Sequence, residues 1–147
     1  MVAGHAFVFE YDSATHSFRT LLDVSKFLNL PDGYYRPGKI HTRIDMGSDG
    51  WLYFATHRGS TRVTTDQYHF TGDWLFRTNP VTGQTETISH GPVAKHSIPT
   101  GVLDPDRLIF YGGTVAGNPA DPTIMFFAST REPGSYSTRF PRGPIVI

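Results

Sequence analysis

The sequence predicts an all-β protein made of repeated antiparallel hairpins, and three observations predict it. Aromatic residues make up 14% of the chain and charged residues only 18%, a balance that favours pleated, half-buried surfaces. Fifteen Gly and eleven Pro supply many tight turns, which suits short strands rather than long helices. Two kinds of hairpin also recur along the chain. At 147 residues, the length fits a single domain over 1–147.

Residues 5–11 (HAFVFEY) read as a strand, 12–15 as a turn and 17–22 as its return strand. Residues 25–30 suit one helical turn, ended by Pro31-Asp32-Gly33. Residues 40–46 form a shorter strand before the turn Gly47-Ser48-Asp49-Gly50, and 51–56 (WLYFAT) form the strand after it. The polar stretch 58–71 is expected to be an exposed loop or an irregular strand pair. A second hairpin of the first kind follows, with strands 73–78 and 84–88 around Asn79-Pro80-Val81-Thr82-Gly83. Phe9 and Phe76, Thr15 and Thr82, and Thr20 and Thr87 stand at one offset across the two. The second kind recurs as strand 98–103, turn Asp104-Pro105-Asp106 and strand 107–112, and residues 123–128 start a third copy of the first kind. Residues 131–144 carry the fewest strand signals, and 144–147 end apolar, as a strand would.

Alternating hairpins make four strands per repeat at roughly 50–70-residue spacing, the signature of a solenoid, propeller or array. Short aromatic strands with Gly, Pro and Asp turns suit propeller blades best. A β-sandwich remains the alternative. The segments Asp49-Gly50-Trp51-Leu52-Tyr53-Phe54-Ala55-Thr56 and 73–83 resemble the DGxLYFxT and LxxxDPxTG patterns of bacterial β-propellers. That resemblance covers most of residues 4–134. It implies a partial β-propeller of about two to three four-stranded antiparallel blades, with pieces near 4–24, 38–90 and 96–140. Complete propellers close with about four to eight blades. An open set would expose sheet faces and edges, so a homo-oligomer that completes the ring is expected.

Thirteen basic residues balance thirteen acidic ones, so no cationic field favours nucleic acid or a membrane surface. The absence of Cys excludes disulfides, thiolate metal sites and a Cys nucleophile. No apolar run approaches the roughly 20 residues of a bilayer-spanning helix. Residues 1–9 lack the pattern of a secretion signal, and the expected location is cytoplasmic, or exported as part of a longer bacterial protein.

The candidate chemistry lies in histidine. His41 precedes the Asp49-Gly50 turn, and His57 follows the strand after it. If those strands pair, both residues fall at one end of the hairpin. His96 precedes the equivalent hairpin of the next repeat. Together His41, His57 and His96 could hold a divalent ion (Mn, Zn or Ca), or two of them could exchange protons near neutral pH. Tyr53 is the first candidate for a phenolic donor, with Tyr68 and Tyr111 as others. Arg43, Arg58 and Arg77 could bind a carboxylate. This set resembles that of the propeller polysaccharide lyases of the oligogalacturonate and ulvan type. That resemblance implies β-elimination on a uronate-containing, acidic polysaccharide or oligosaccharide, with His41 and His57 matching that family's histidines. A non-catalytic module for ligand binding or assembly is the other reading. Histidines at strand ends also serve as hydrogen-bonded packing residues.

Overall fold

The computed structural model describes residues 5–118 and 120–131. Ten strands form three antiparallel sheets. Strands β1 (Phe7–Asp12) and β2 (Ser17–Asp23) make a two-stranded hairpin. In the middle sheet β5 (Leu52–His57) pairs with β6 (Trp74–Thr78), and β6 with β7 (Thr85–His90). The other edge of β5 carries two short strands in tandem, β3 (Lys39–Ile40) and β4 (Asp45–Met46). The third sheet is a meander of β8 (His96–Asp104), β9 (Ile109–Ala116) and β10 (Met125–Ser129). No helix among the described residues is long and apolar enough to cross a membrane.

The repeat seen in the sequence is a repeat of register. In the first hairpin Val8 pairs with Leu22 and Phe9 with Thr20, across a bulge. In the second, Leu75 pairs with Ser89 and Phe76 with Thr87, across the same bulge. A bulge adds one residue to a strand and bends it, so both hairpins bend alike. Even the cross-strand ion pair recurs, with its signs exchanged: Glu10 faces Arg19, and Arg77 faces Glu86.

The sheets stack face to face around two cores. One joins Ala6, Val8, Leu22 and Val24 of the first unit to Phe54, Trp74 and Phe76 of the middle sheet. The other joins Tyr53, Ala55, Leu75 and Ile88 to Leu103, Phe110, Phe126 and Ala128 of the third sheet. Strand β5 therefore has no wet face. Its inner residues 53–56 are fully buried, which explains why this strand reads as a continuous apolar run.

Between the sheets, residues 24–28 form the short helix α1 (Val24–Leu28), capped by the Asp23 side chain on Lys26 N. The stretch 58–71 differs from the expected loop or strand pair. It holds two 3-10 turns, Thr61–Val63 and Asp66–Tyr68, and buries Phe70 against Tyr35. An apolar anchor in a polar stretch has no periodicity to betray it. The expected strand at 144–147 lies outside the described residues.

Candidate active site

The expected strand 40–46 is broken, and the break builds the site. Ile40 pairs with Thr56 and Asp45 with Tyr53, but residues 41–44 leave the ladder. Thr42 takes their place on Ala55. Its hydroxyl accepts from Ala55 N at 2.9 Å and donates to Ala55 O at 3.4 Å. A side-chain hydroxyl that satisfies a strand's backbone removes the need for a neighbouring strand there. The detour carries His41 and Arg43 out towards the third sheet.

The chain enters β3 through a close approach of two glycines. A Cβ on Gly38 would stand 2.4 Å from Gly59 Cα. This contact lies just beyond His57 and closes the end of the hairpin. There the rings of His41 and His57 sit 5.3 Å apart, tilted by 45°. His57 Nδ1 meets Arg58 O at 2.6 Å, and His41 Nδ1 meets Pro99 O at 3.1 Å. A carbonyl oxygen can only accept, so both Nδ1 atoms carry hydrogen and each neutral ring keeps its lone pair on Nε2. Burial is the main cause that lowers the His57 pKa, helped by the charges of Lys39, Arg58 and His41, while the bond to Arg58 O opposes it. His57 is thereby kept as a neutral base at pH 7.

Beside His41 lies a cavity of about 310 Å³ between the 41–43 detour and the third sheet; His57 is not among its lining residues. This is the small end of the range for ligand sites. His41 and Arg43 stand on one side, and Thr100, Val102, Tyr111 and Met125 on the other. Gly113 keeps it open, because a Cβ there would come within 2.8 Å of Thr100 Cγ2. Arg43 is exposed and uses one nitrogen on Asp45 at 3.0 Å. Asp45 is held in turn by Leu103 N at 3.0 Å. The remaining N–H groups of the guanidinium stay available to a second anion.

The other sequence candidates lie elsewhere. Tyr53 is fully buried and donates to Asp49 Oδ2 at 2.7 Å. It stands four residues before His57 on the same strand, about 13 Å away. Arg77 pairs with Tyr53 in the ladder, bonds Glu86 at 2.6 Å and lies 4.6 Å from the Trp51 ring centre. Arg58 turns inward and donates to Ala116 O at 2.5 Å. The metal trio is not assembled. His96 is buried, with Nδ1 on Thr114 Oγ1 at 2.8 Å. Among the described residues no group of three or more His, Asp or Glu side chains is placed to hold an ion. The reason is the strand pairing: Ser97 faces Val115 and His96 faces Ala116 on β9, so His96 belongs to the third sheet's own ladder. Tyr111, named only as an alternative phenol, is the tyrosine at the cavity.

Sequence reasoning missed the polar centre behind the pair. Asp73 is fully buried; its Oδ1 accepts from Tyr35 at 2.9 Å and from Thr56 at 2.8 Å. Thr56 Oγ1 also accepts from Trp74 N at 3.0 Å. Asp73 Oδ2 and the nearby Ser97 Oγ make no hydrogen bond of normal geometry. Burial raises the Asp73 pKa, against the pull of Ser97, Thr56, Tyr35 and Arg58. An Asp placed just before an apolar strand was the available signal, but it reads equally as a turn former.

Comparison with protein-family models, with curated proteins and with solved structures finds no match.

Proposed function

We propose that the three stacked sheets are successive blades of a partial β-propeller, and that the groove beside His41 is the site of a carbohydrate-active protein. The repeated hairpin with its repeated bulge and the face-to-face stacking support the first part. One observation carries the second: His41 lines a cavity that also holds the exposed Arg43 guanidinium, and the His57 ring, its Nδ1 likewise committed to a carbonyl, lies 5.3 Å behind His41.

This set suits β-elimination on a uronate chain. Arg43 binds the sugar carboxylate and makes the neighbouring C–H more acidic. A neutral imidazole, His57 by its environment, takes that proton through Nε2. The electron pair forms the C=C bond as the glycosidic C–O bond breaks. The leaving oxygen takes a proton from protonated His41 or from Tyr111 across the cavity. The ligand is an acidic oligosaccharide, and the proton steps need only the side chains named.

The test is the near-ultraviolet absorbance of unsaturated uronate products over a panel of polyuronates. His57→Ala is expected to lower the rate about 100-fold or more, as removal of a general base does. Arg43→Ala is expected to raise KM and to lower kcat as well. Absence of product across the panel, or full activity of His57→Ala, overturns the lyase reading. The reading of the groove as a non-catalytic binding module then takes over if oligouronates still shift the His41 resonances.

A further inference from the structure

Within the stack, covered faces obey one rule. The face carrying Val8 and Leu22 covers the face carrying Phe54, Trp74 and Phe76. One sheet further on, the face carrying Ala55 and Leu75 covers the face carrying Phe110 and Phe126. Val8 and Leu75 are equivalent positions of the two bulged hairpins. Phe54 and Phe110 are equivalent positions of strands β5 and β9, each after its Asp-containing turn. So each sheet presents the same kind of face forward and the same kind backward.

Two faces end the stack without a covering sheet among the described residues, the second bordered along one side by His41 and Arg43. On the first hairpin, Phe9 is 57%, Tyr11 50% and Phe18 74% exposed, with Phe7 beside them. Their rings already contact one another, Phe7 on Phe9 at 5.5 Å and Tyr11 on Phe18 at 4.8 Å. On the third sheet, Val102, Tyr111 and Met125 are exposed, and Phe127 is half-buried against Tyr111. By the repeat offset, Phe7 and Phe9 stand where Trp74 and Phe76 stand, the kind of face that receives a cover. Tyr111 stands where Ala55 stands, the kind of face that provides one. Each free face is the one the rule pairs with the other, and the aromatic and aliphatic side chains dominate both, with Asp23 opposite Phe7 at the rim of one and Asp104 and Arg43 at the rim of the other. They look out from opposite ends of the stack, so one molecule cannot join them.

We propose that a second copy of this chain docks head to tail, its Phe7–Phe9–Tyr11 face against the Val102–Tyr111–Met125 face. Such an interface is heterologous: it builds a ring where its rotation closes and an open filament where it does not. It removes two aromatic and aliphatic patches from water. It also adds a wall to the groove, because Val102, Tyr111 and Met125 line the His41 cavity. The cavity is then a composite site between copies. The inference rests on the repeat and the stacking, and it stands or falls apart from the lyase reading.

Light scattering after size exclusion measures the mass of the 16.4 kDa chain. An oligomer is expected, and Phe9→Glu and Met125→Glu are each expected to give a folded monomer, since both side chains are exposed within one copy. The chain has no cysteine, so disulfide mapping is clean. Phe9→Cys mixed with Met125→Cys is expected to form a cross-linked heterodimer under oxidation, and each alone to remain uncross-linked. A monomeric wild-type chain overturns the proposal. So does preferential Phe9→Cys self-linkage, which would mean a two-fold, face-to-face pair.

Discussion

The hairpins β1–β2 and β6–β7 share their register, their bulge and a cross-strand ion pair, yet their outer faces have opposite fates. Phe76 is fully buried, and its counterpart Phe9 is more than half exposed. Trp74 lies under the first unit and stacks on His90 at 4.1 Å, whereas the ring of its counterpart Phe7 is exposed beside His5 and Phe9. The comparison teaches that local sequence makes the hairpin and neighbours make the core. The same fold of chain is either an interior layer or an end plate, according to what stands next to it.

The largest test of that contrast is truncation of the paired aromatics. Phe76→Ala is expected to cost about 3–5 kcal/mol, as for other buried Phe side chains. Phe9→Ala, measured in the monomeric Met125→Glu background, is expected to change stability by no more than about 0.5 kcal/mol. Urea unfolding followed by Trp fluorescence gives both values. Equal losses would mean that the first hairpin is covered within one copy.

Next comes the buried Asp73 centre of the middle sheet, which has no counterpart on the first hairpin among the described residues. Thr56→Val strips Asp73 Oδ1 and Trp74 N of a buried partner. A loss of about 1–3 kcal/mol is expected, again by urea unfolding. Asp73→Asn keeps the shape and cannot take on the charge that burial penalises, so it is expected to be tolerated better than Thr56→Val.

Acid should reveal the same asymmetry. Burial lowers the pKa of His57, His90 and His96. Each therefore binds protons more weakly folded than unfolded. Their contribution is fully present above the ordinary imidazole value of 6.5 and is lost as pH falls from there through the lowered values. Asp73 acts in the opposite sense: its raised pKa imposes a cost above that pKa that fades as pH falls through it. The melting temperature is expected to drop between pH 7.5 and 5.5, and less so in His90→Phe, which keeps the stack on Trp74. An unchanged melting temperature across that range would defeat this account.

The smallest effect belongs to the sign-swapped ion pairs. Arg19 and Glu10 are 54% and 44% exposed, against 14% and 28% for Arg77 and Glu86. Arg19→Ala is expected to cost at most about 0.5 kcal/mol. Arg77→Ala also loses the Trp51 contact, and about 1–2 kcal/mol is expected. A double-mutant cycle on each pair separates the coupling from the packing.

Much of this was legible in the chain. Phe9 and Phe76, with Thr20 and Thr87, announced a repeated hairpin at one offset, because strand period and turn chemistry are local. The closeness of His41 and His57 followed from pairing two strands around the Asp49-Gly50 turn. The roles of Tyr53 and Arg77 were not legible. Both sit on neighbouring strands of the right sheet, β5 and β6, but facing the core or a fixed partner, and which face is buried depends on the sheets on either side. His96 matched by position and failed by environment, since its ladder belongs to another sheet. Thr42 gave no signal at all; its hydroxyl replaces a strand only because Ala55 stands opposite.

The sequence by itself determined the class, the repeated hairpin and the place of the turns, since these depend on residues near one another in the chain; the shared bulge came from the register. Only the tertiary structure decided that β5 has no wet face, that Asp73 is a buried hub, and that Arg43 and Tyr111 meet across a cavity. Those outcomes depend on contacts between residues far apart in the chain. A face of given composition is core or surface according to what packs against it.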